Sequence, residues 1–266
     1  MFGITMAESG GEFEAPGPNS FDFDAVPLFQ LGGLAVTKPM VQLLLGALVV
    51  FVFFYAAARR ASLVPGRLQF AGESAYGMVR NSIGRDIIGS HDFLRFVPYL
   101  VTLFFFFILI NNAFATLPAI QFPTFSRASM AYALAAVSWI IYNAVGIRKH
   151  GLLGYLKLQS VPSGVSPVMY PLLVPLEFFS NILVRPATLA LRLFANMFAG
   201  HLLLILFSTG GLFLLQYGGI GYVAGPLAWV LAIAIAFLEL LVQFLQAYVF
   251  TLLNAMYISG ALADEH

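Results

Sequence analysis

The sequence predicts an all-α integral membrane protein with about five membrane helices and one interfacial amphipathic helix. Hydrophobic residues make up 60% of its 266 residues and charged residues only 9%, which is more apolar surface than one water-soluble core can bury. Several apolar runs reach the length of about 20 residues that a helix needs to cross the core of a bilayer. The basic residues gather in the connections between these runs, as they do in membrane proteins.

The first elements follow from charge and apolar length. Residues 1–38 form an acidic N-terminal segment, in which carboxylates precede the first basic residue, Lys38. Residues 39–58 form the first predicted membrane helix, and Arg59 closes it. Charged residues interrupt the apolar pattern over 69–88, so we interpret this stretch as an amphipathic helix that lies at the membrane interface. A soluble loop is the alternative interpretation.

The sequence from 39 to 266 reads as a single membrane domain. Residues 96–117 form the next predicted membrane helix, which Pro118 ends. Residues 129–147 return across the membrane and are closed by Arg148 and the basic residues after it.

Two longer apolar stretches, 171–210 and 226–259, complete the domain. As unbroken helices they would reach roughly 50–60 Å, so we expect them to be long and tilted, or partly interrupted. The segment Gly218–Gly221, with Pro226, predicts the turn that joins them into a hairpin. Prolines leave room for breaks in the first stretch: Pro171, Pro175 and Pro186.

The basic residues orient the helices. One set of alternating connections holds most of them, and the opposite set carries only Lys38 and Arg127. The basic side is cytoplasmic by the positive-inside rule. We therefore expect the N-terminus outside the cell and the C-terminus in the cytoplasm.

Charge and cysteine content exclude several classes of function. The formal net charge is +1, which argues against nucleic acid as a partner. The sequence contains no cysteine, so it has no disulfide, thiolate metal site or cysteine nucleophile. We expect no metal and no cofactor.

Polar residues in the two long helices form a ladder. Arg192, Asn196 and His201 interrupt the first helix, and Glu239, Gln243 and Gln246 interrupt the second. Residues at one depth of an antiparallel hairpin have numbers with a constant sum. The sums are nearly equal for Arg192 with Gln246, for Asn196 with Gln243 and for His201 with Glu239, so the pairs centre on one turn.

The ladder has two stations. His201 and Glu239 lie nearer the outer turn, where a histidine and a carboxylate can exchange a proton because imidazole titrates near neutral pH. Arg192 lies deeper and remains a fixed cation, because a guanidinium does not deprotonate in proteins. An arginine at membrane depth costs from about 3 to over 10 kcal/mol. Since no buried carboxylate of this chain is an obvious partner, we expect the missing anion in another subunit.

Structural interpretations of the same residues stay open. His201 could be a core histidine whose hydrogen bonds are satisfied, and Gln246 could simply bond one helix to the other. For Arg192 the structural interpretation is a buried ion pair.

The last third of the chain resembles subunit a of the F-type ATP synthase, the stator part of its membrane motor, in its bacterial form. The resemblance rests on Arg185-Pro186, on Leu191-Arg-Leu-Phe-Ala-Asn-Met-Phe-Ala-Gly-His201, on Leu245-Gln-Ala-Tyr-Val-Phe250 and on the ending Tyr257 to His266. The order of spans over residues 39–147 agrees more loosely. The resemblance implies a protein of the bacterial plasma membrane that is not an enzyme on its own. It also implies contacts with the c-ring, with the peripheral-stalk subunit b, indirectly with the F1 sector, and with lipid.

The resemblance also assigns roles. It identifies Arg192 as the stator charge that faces the carboxylate of the rotating c-ring. It identifies four residues as lining the outer proton half-channel: Asn196, His201, Glu239 and Gln246. Glu177 lies near a family carboxylate of the inner half-channel, but its spacing to Arg192 is one residue longer than in the family.

Two further departures stand out. The acid and the imidazole at His201 and Glu239 are exchanged relative to some bacterial members, as in mitochondrial relatives. The accessory acid that several bacterial members carry three residues before a proline is replaced by Ala115, ahead of Pro118.

Three functions compete at this point. The leading one is a proton-translocating stator subunit with two aqueous half-channels. A self-contained proton-coupled secondary transporter would usually have internal repeats, and none is apparent. An intramembrane enzyme would need a metal motif or a nucleophile with its base, and the sequence offers no convincing set.

Overall fold

The computed structural model describes residues 29–31, 34–36, 38–59, 62–89, 93–116, 124–161, 169–216 and 218–263. Most of the predicted acidic segment 1–38 and the final Asp264-Glu265-His266 lie outside these residues. The described part is helical apart from two short strands. Strand β1 (Phe29–Leu31) pairs antiparallel with β2 (Leu34–Val36) directly before the first helix.

The first membrane helix and the predicted amphipathic helix are both present. Helix α1 covers Lys38–Ala58, and α2 begins at Arg67 and runs to Met78. The second helix then continues as a π-helical segment over Val79–Ile88. The two helices pack closely at Gly72, where an added Cβ would lie 2.6 Å from the Cβ of Ala57.

The predicted span 96–117 is built from three helical segments in succession. Helix α3 (Phe93–Val101) passes into a π-helical segment (Thr102–Leu109), which passes into α4 (Ile110–Thr116). Pro98 lies inside α3, and its carbonyl accepts a hydrogen bond of 2.7 Å from the Thr102 hydroxyl. A short 3₁₀ helix, Thr124–Ser126, follows.

The predicted end of the next helix at Ile147 lies close to a break. Helix α5 covers Ala128–Ser160 as two helical pieces that meet at Gly151, whose φ of 72° and ψ of 167° are not helical and suit glycine. The basic residues after Ile147 continue the first piece up to this break, since lysine and arginine are good helix formers. We call the residues after this break, 152–160, the α5 arm.

The two long stretches are longer than predicted. Helix α6 (Tyr170–Phe179), a π-helical segment (Ser180–Val184) and α7 (Arg185–Gln216) follow one another without a gap. Helix α8 covers Gly221–Leu262. The interruption expected in the first stretch is thus a π-helical turn.

The turn between α7 and α8 lies where the glycines predict it. Gly218 and Gly219 both have positive φ, 68° and 57°. Pro226 is not part of this turn but lies inside the second turn of α8, where a proline removes one backbone hydrogen bond. The two helices are in close contact directly at the turn, because an added Cβ on Gly221 would lie 1.9 Å from the Leu214 carbonyl oxygen.

Four helices of the described part are long and apolar enough to cross a membrane: Met40–Ala58, Ala128–Ser160, Tyr170–Gln216 and Gly221–Leu262. The segments from Phe93 to Thr116 supply the fifth predicted crossing. A buried core joins α3, the π-helical segment after it, α5, α7 and α8, and includes Leu100, Phe104, Leu134, Leu193 and Phe250. The fold is therefore an all-α membrane protein that holds the α7–α8 hairpin against the other helices.

Candidate functional site

The outer station of the hairpin is a buried histidine–carboxylate pair. His201 Nδ1 lies 3.3 Å from Glu239 Oε1, and the two residues are 8% and 5% exposed. The pairing predicted from the sequence is confirmed. Gly200 makes room for it, because an added Cβ there would lie 3.2 Å from the Glu239 carboxyl carbon.

Helical periodicity places both groups inside the bundle. On α7, His201 continues the buried stripe of Leu189, Leu193 and Met197 at steps of four residues. On α8, Glu239, Gln243 and Gln246 are buried along one face. Apolar residues alone could fill these buried faces. The buried polar residues therefore distinguish the hairpin from an ordinary hydrophobic core.

The second polar pair differs from the prediction by about one turn. Asn196 Nδ2 donates a hydrogen bond of 2.7 Å to Gln246 Oε1, whereas the sequence paired Gln246 with Arg192 and Asn196 with Gln243. The constant-sum relation assumes that each residue of α7 and each residue of α8 advances by the same distance across the membrane. The two helices are in contact near the turn, where Leu214 meets Gly221, and again further along, where Arg185 lies over Tyr257. Between these two contacts α8 has more residues than α7, so α8 takes the longer path.

Arg192 occupies a different environment. Its side chain is exposed on α7. It forms no hydrogen bond or ion pair with any residue that the structure describes, and the expectation that its anion belongs to another subunit stays a prediction. The carboxylates in question have other neighbours, since Glu239 faces His201 and Glu177 accepts from Asn181.

Glu177 lies on α6, beyond the π-helical segment from Arg192. It is half-buried, and its Oε2 lies 3.4 Å from Asn181 Nδ2. A π turn holds about one residue more than an α turn. The π-helical segment Ser180–Val184 lies between Glu177 and Arg192, so it changes the relative direction of these two side chains from that of an unbroken α-helix.

The sequence did not single out several polar residues that lie in a hydrogen-bonded network beside Glu177. Tyr155, Gln159 and Asn143 form hydrogen bonds with one another, and Asn181 donates to the Gln159 carbonyl. Arg185 lies over the ring of Tyr257, 5.4 Å from its centroid. The polar residues in 155–160 could have indicated this network, but a helix that ends at Ile147 places them in a loop.

Some buried polar atoms have no protein partner among the described residues. They include Glu239 Oε2, Gln246 Nε2 and both amide atoms of Asn112. Buried polar groups in proteins are nearly always hydrogen-bonded to protein or water. Glu239 thus keeps one oxygen available for a proton while the other faces His201. Within the described residues, no group of three or more His, Cys, Asp or Glu could hold a metal ion.

Comparisons with known proteins agree with this architecture. The family model for the ATP synthase A chain matches residues 40–259. A protein of Nocardioides sp. named ATP synthase subunit a is 62% identical, with 99% of this chain and 98% of that protein covered. Proteins of the same name from Pseudarthrobacter chlorophenolicus and Streptomyces lividans are 49% and 40% identical, and the matches cover 98% and 97% of this chain and 97% and 90% of those proteins. The family match covers all but the ends of the described helices, including nearly the whole hairpin, and the chain belongs to the ATP synthase A chain family.

Proposed function

We propose that this chain is the proton-translocating stator subunit of an F-type ATP synthase. In this role it delivers protons to a rotor carboxylate, and takes them from it, through two aqueous half-channels. One observation carries the proposal: a buried histidine–carboxylate pair lies on the same helical hairpin as an exposed arginine that is unpaired within the described residues. A structural core would pair the arginine within the chain, and a passive channel would not need it.

The outer half-channel passes His201 and Glu239. A proton arriving from outside protonates one of the two groups, and the 3.3 Å contact lets them share it. Asn196 and Gln246 continue the polar path one turn further towards Arg192. Neither amide titrates, so they can orient water and hydrogen bonds along the path but cannot store the proton.

Arg192 acts on the rotor as a fixed charge. Its guanidinium favours the ionised form of a c-ring carboxylate that approaches it and so releases the proton from that carboxylate. The proton then leaves through the inner half-channel, where Glu177 is the nearest candidate acceptor. As a permanent cation between two aqueous half-channels, Arg192 also opposes protons that would cross without rotation.

The assembly follows from the same assignment. The c-ring contacts the exposed side of α7 that carries Arg192, the peripheral-stalk subunit b holds the stator, and the F1 sector is connected indirectly. Lipid covers the remaining apolar surface. In the bacterial plasma membrane, the segment 1–38 is extracytoplasmic, the membrane domain 39–266 follows, and the C-terminus is cytoplasmic.

Inverted membrane vesicles that contain the assembled complex test the proposal. Two opposite unit charges about 4 Å apart near a protein surface, such as Arg192 and a rotor carboxylate, attract each other by about 4 kcal/mol. A loss of 1.4 kcal/mol corresponds to about a tenfold change in an equilibrium constant or a rate. Arg192→Ala should therefore reduce ATP-driven acidification by more than about a hundredfold, although the complex still assembles. Acidification that persists in this variant would overturn the stator role.

The same preparation separates the proposal from its alternative. A stator subunit copurifies with a c-ring and an ATPase, whereas a self-contained secondary transporter is active when purified alone. An increased passive proton leak in Arg192→Ala would support the barrier role. Loss of pumping without a leak would reject the barrier role and retain the electrostatic one.

A further inference from the structure

A buried hydrogen-bonded network joins the α5 arm to the rest of α5. The Tyr155 hydroxyl donates to Asn143 Oδ1 at 3.0 Å and accepts from Gln159 Nε2 at 2.8 Å. The Tyr155 ring packs on Gly146, where an added Cβ would lie 2.1 Å from the ring. The change of direction at Gly151 makes this possible. The arm is thus fixed at both the backbone and the side-chain level.

Asn181 connects this arm to Glu177. Its amide nitrogen has two hydrogens, and both have acceptors: the Gln159 carbonyl oxygen at 2.6 Å and Glu177 Oε2 at 3.4 Å. Asn181 and Gln159 are 6% and 5% exposed. The short bond fixes the amide on the arm, and the longer bond then directs the carboxylate.

The π-helical segment contributes to this arrangement. Asn181 lies inside Ser180–Val184, four residues after Glu177, which is the spacing that brings two side chains together on a helix. Isolated π turns occur frequently at functional sites. Here the wider turn adds a residue between Glu177 and Arg192 and still directs Asn181 onto the arm.

We propose that Asn181, held by the α5 arm, is a positioning residue for the Glu177 carboxylate at the inner proton exit. This inference rests on the proposed function. A proton that leaves a rotor carboxylate needs an acceptor in a defined place, and Asn181 supplies a donor that cannot itself compete for the proton. Gln159 Oε1 is buried without a partner among the described residues, so the network can accept one more hydrogen bond beside the exit.

The surrounding charges do not replace this donor. The titratable groups closest in sequence to this network are Tyr155 and Lys157 on the arm and Arg185 at the start of α7. None of them forms a hydrogen bond or ion pair with Glu177. Within the described part of the chain, Asn181 is the hydrogen-bond donor to this carboxylate.

A double-mutant cycle tests the inference. The variants are Glu177→Gln, Asn181→Leu and the double variant. Passive proton conductance is measured in inverted vesicles from which the ATPase sector has been removed. In these vesicles the external medium is in contact with the cytoplasmic face of the membrane. Asn181→Leu should lower the conductance about threefold, as expected for a weak hydrogen bond to a charged group, and change its dependence on the pH of the medium. In the Glu177→Gln background it should change neither quantity. Additive losses, or an unchanged pH profile, would overturn the inference.

Control variants keep the cycle decisive. Asn254→Leu removes another buried asparagine, one that bonds to Tyr99 and to the Phe250 carbonyl, and its loss should add to that of Glu177→Gln. If Asn181→Leu does not assemble, Tyr155→Phe keeps the ring on Gly146 and removes both hydroxyl hydrogen bonds, and the same cycle applies.

Glu239→Gln separates this inference from the proposed function. If it conducts like the wild type, the proposed function fails. If it is blocked while Glu177→Gln conducts normally, only the inference about the inner exit fails.

Discussion

The two stations of the α7–α8 hairpin treat charge in opposite ways. His201 and Glu239 are buried and face each other within the chain. Arg192, on the same helix, is exposed and makes no ion pair within the described residues. A buried charge requires a partner, and the outer station meets that requirement internally. Arg192 is exposed in the isolated chain, and once another subunit or lipid covers α7 its partner has to come from outside the described part of the chain.

This difference separates a complete site from half a site. Under the proposed function, the outer station holds both groups that share the proton within this chain. The station at Arg192, under the same proposal, needs a carboxylate from another subunit. Changes at Arg192 should therefore depend on the rotor, and changes at the outer station should affect proton supply.

The largest expected effect is that of Arg192→Lys. Lysine keeps a positive charge but loses the planar, bidentate guanidinium, and it can deprotonate when it is desolvated. We expect ATP synthesis driven by a proton gradient to fall to background, more than about a hundredfold, as for loss of an ion pair of about 3 kcal/mol. The rate is measured in vesicles with equal amounts of assembled complex.

A matched control is Arg80→Lys, since Arg80 is exposed on the π-helical continuation of α2. It should leave synthesis unchanged. Synthesis above one tenth of the wild-type rate in Arg192→Lys would mean that charge alone suffices and that the guanidinium geometry is not required.

A smaller effect is expected for Glu239→Gln. Glutamine keeps the size and one oxygen of glutamate but cannot titrate, so the pair with His201 loses its proton-exchanging partner. General acid–base groups contribute about 10² or more to the rates they assist, and we expect proton-driven synthesis to fall at least about tenfold. Glu73→Gln, on exposed α2, is the matched control carboxylate.

The double swap His201→Glu with Glu239→His sharpens this prediction. It retains one acid and one imidazole at the same contact, so it should recover part of the activity that each single change removes. If the double variant loses the sum of the two single losses in free energy of activation, the residues do not act as a pair.

The two stations also differ in how far the sequence predicted them. Polar residues stand out in apolar helices, and a glycine-rich turn fixes which depths meet, so the pairing of His201 with Glu239 followed from numbering alone. The partner of Gln246 did not, because α8 takes a longer path than α7. Small differences between helix paths accumulate with distance from the turn.

The inner side was predicted least well, for physical reasons. The basic residues after Ile147 predict the end of a helix, and α5 does break close to them, at Gly151, but they give no sign of the second helical piece that follows. The direction of the α5 arm depends on φ at Gly151 and on the packing of Tyr155 against Gly146, neither of which leaves a periodic pattern. The π-helical segment Ser180–Val184 also follows from no periodic pattern in the sequence.

The smallest expected effect concerns the link between the two stations. Asn196 donates to Gln246 at 2.7 Å, and neither residue titrates, so losing this bond should disturb the path without removing a proton carrier. A neutral hydrogen bond contributes about 0.5–1.5 kcal/mol, and we expect Asn196→Leu and Gln246→Leu each to slow ATP-driven acidification by about two- to tenfold. The double variant should be little slower than the slower single variant, because each change already breaks the same bond. Acidification is followed by dye quenching and normalised to assembled complex. Losses that multiply would indicate two independent contributions to the path, whereas a loss as large as that of Glu239→Gln would assign proton transfer itself to this level of the hairpin.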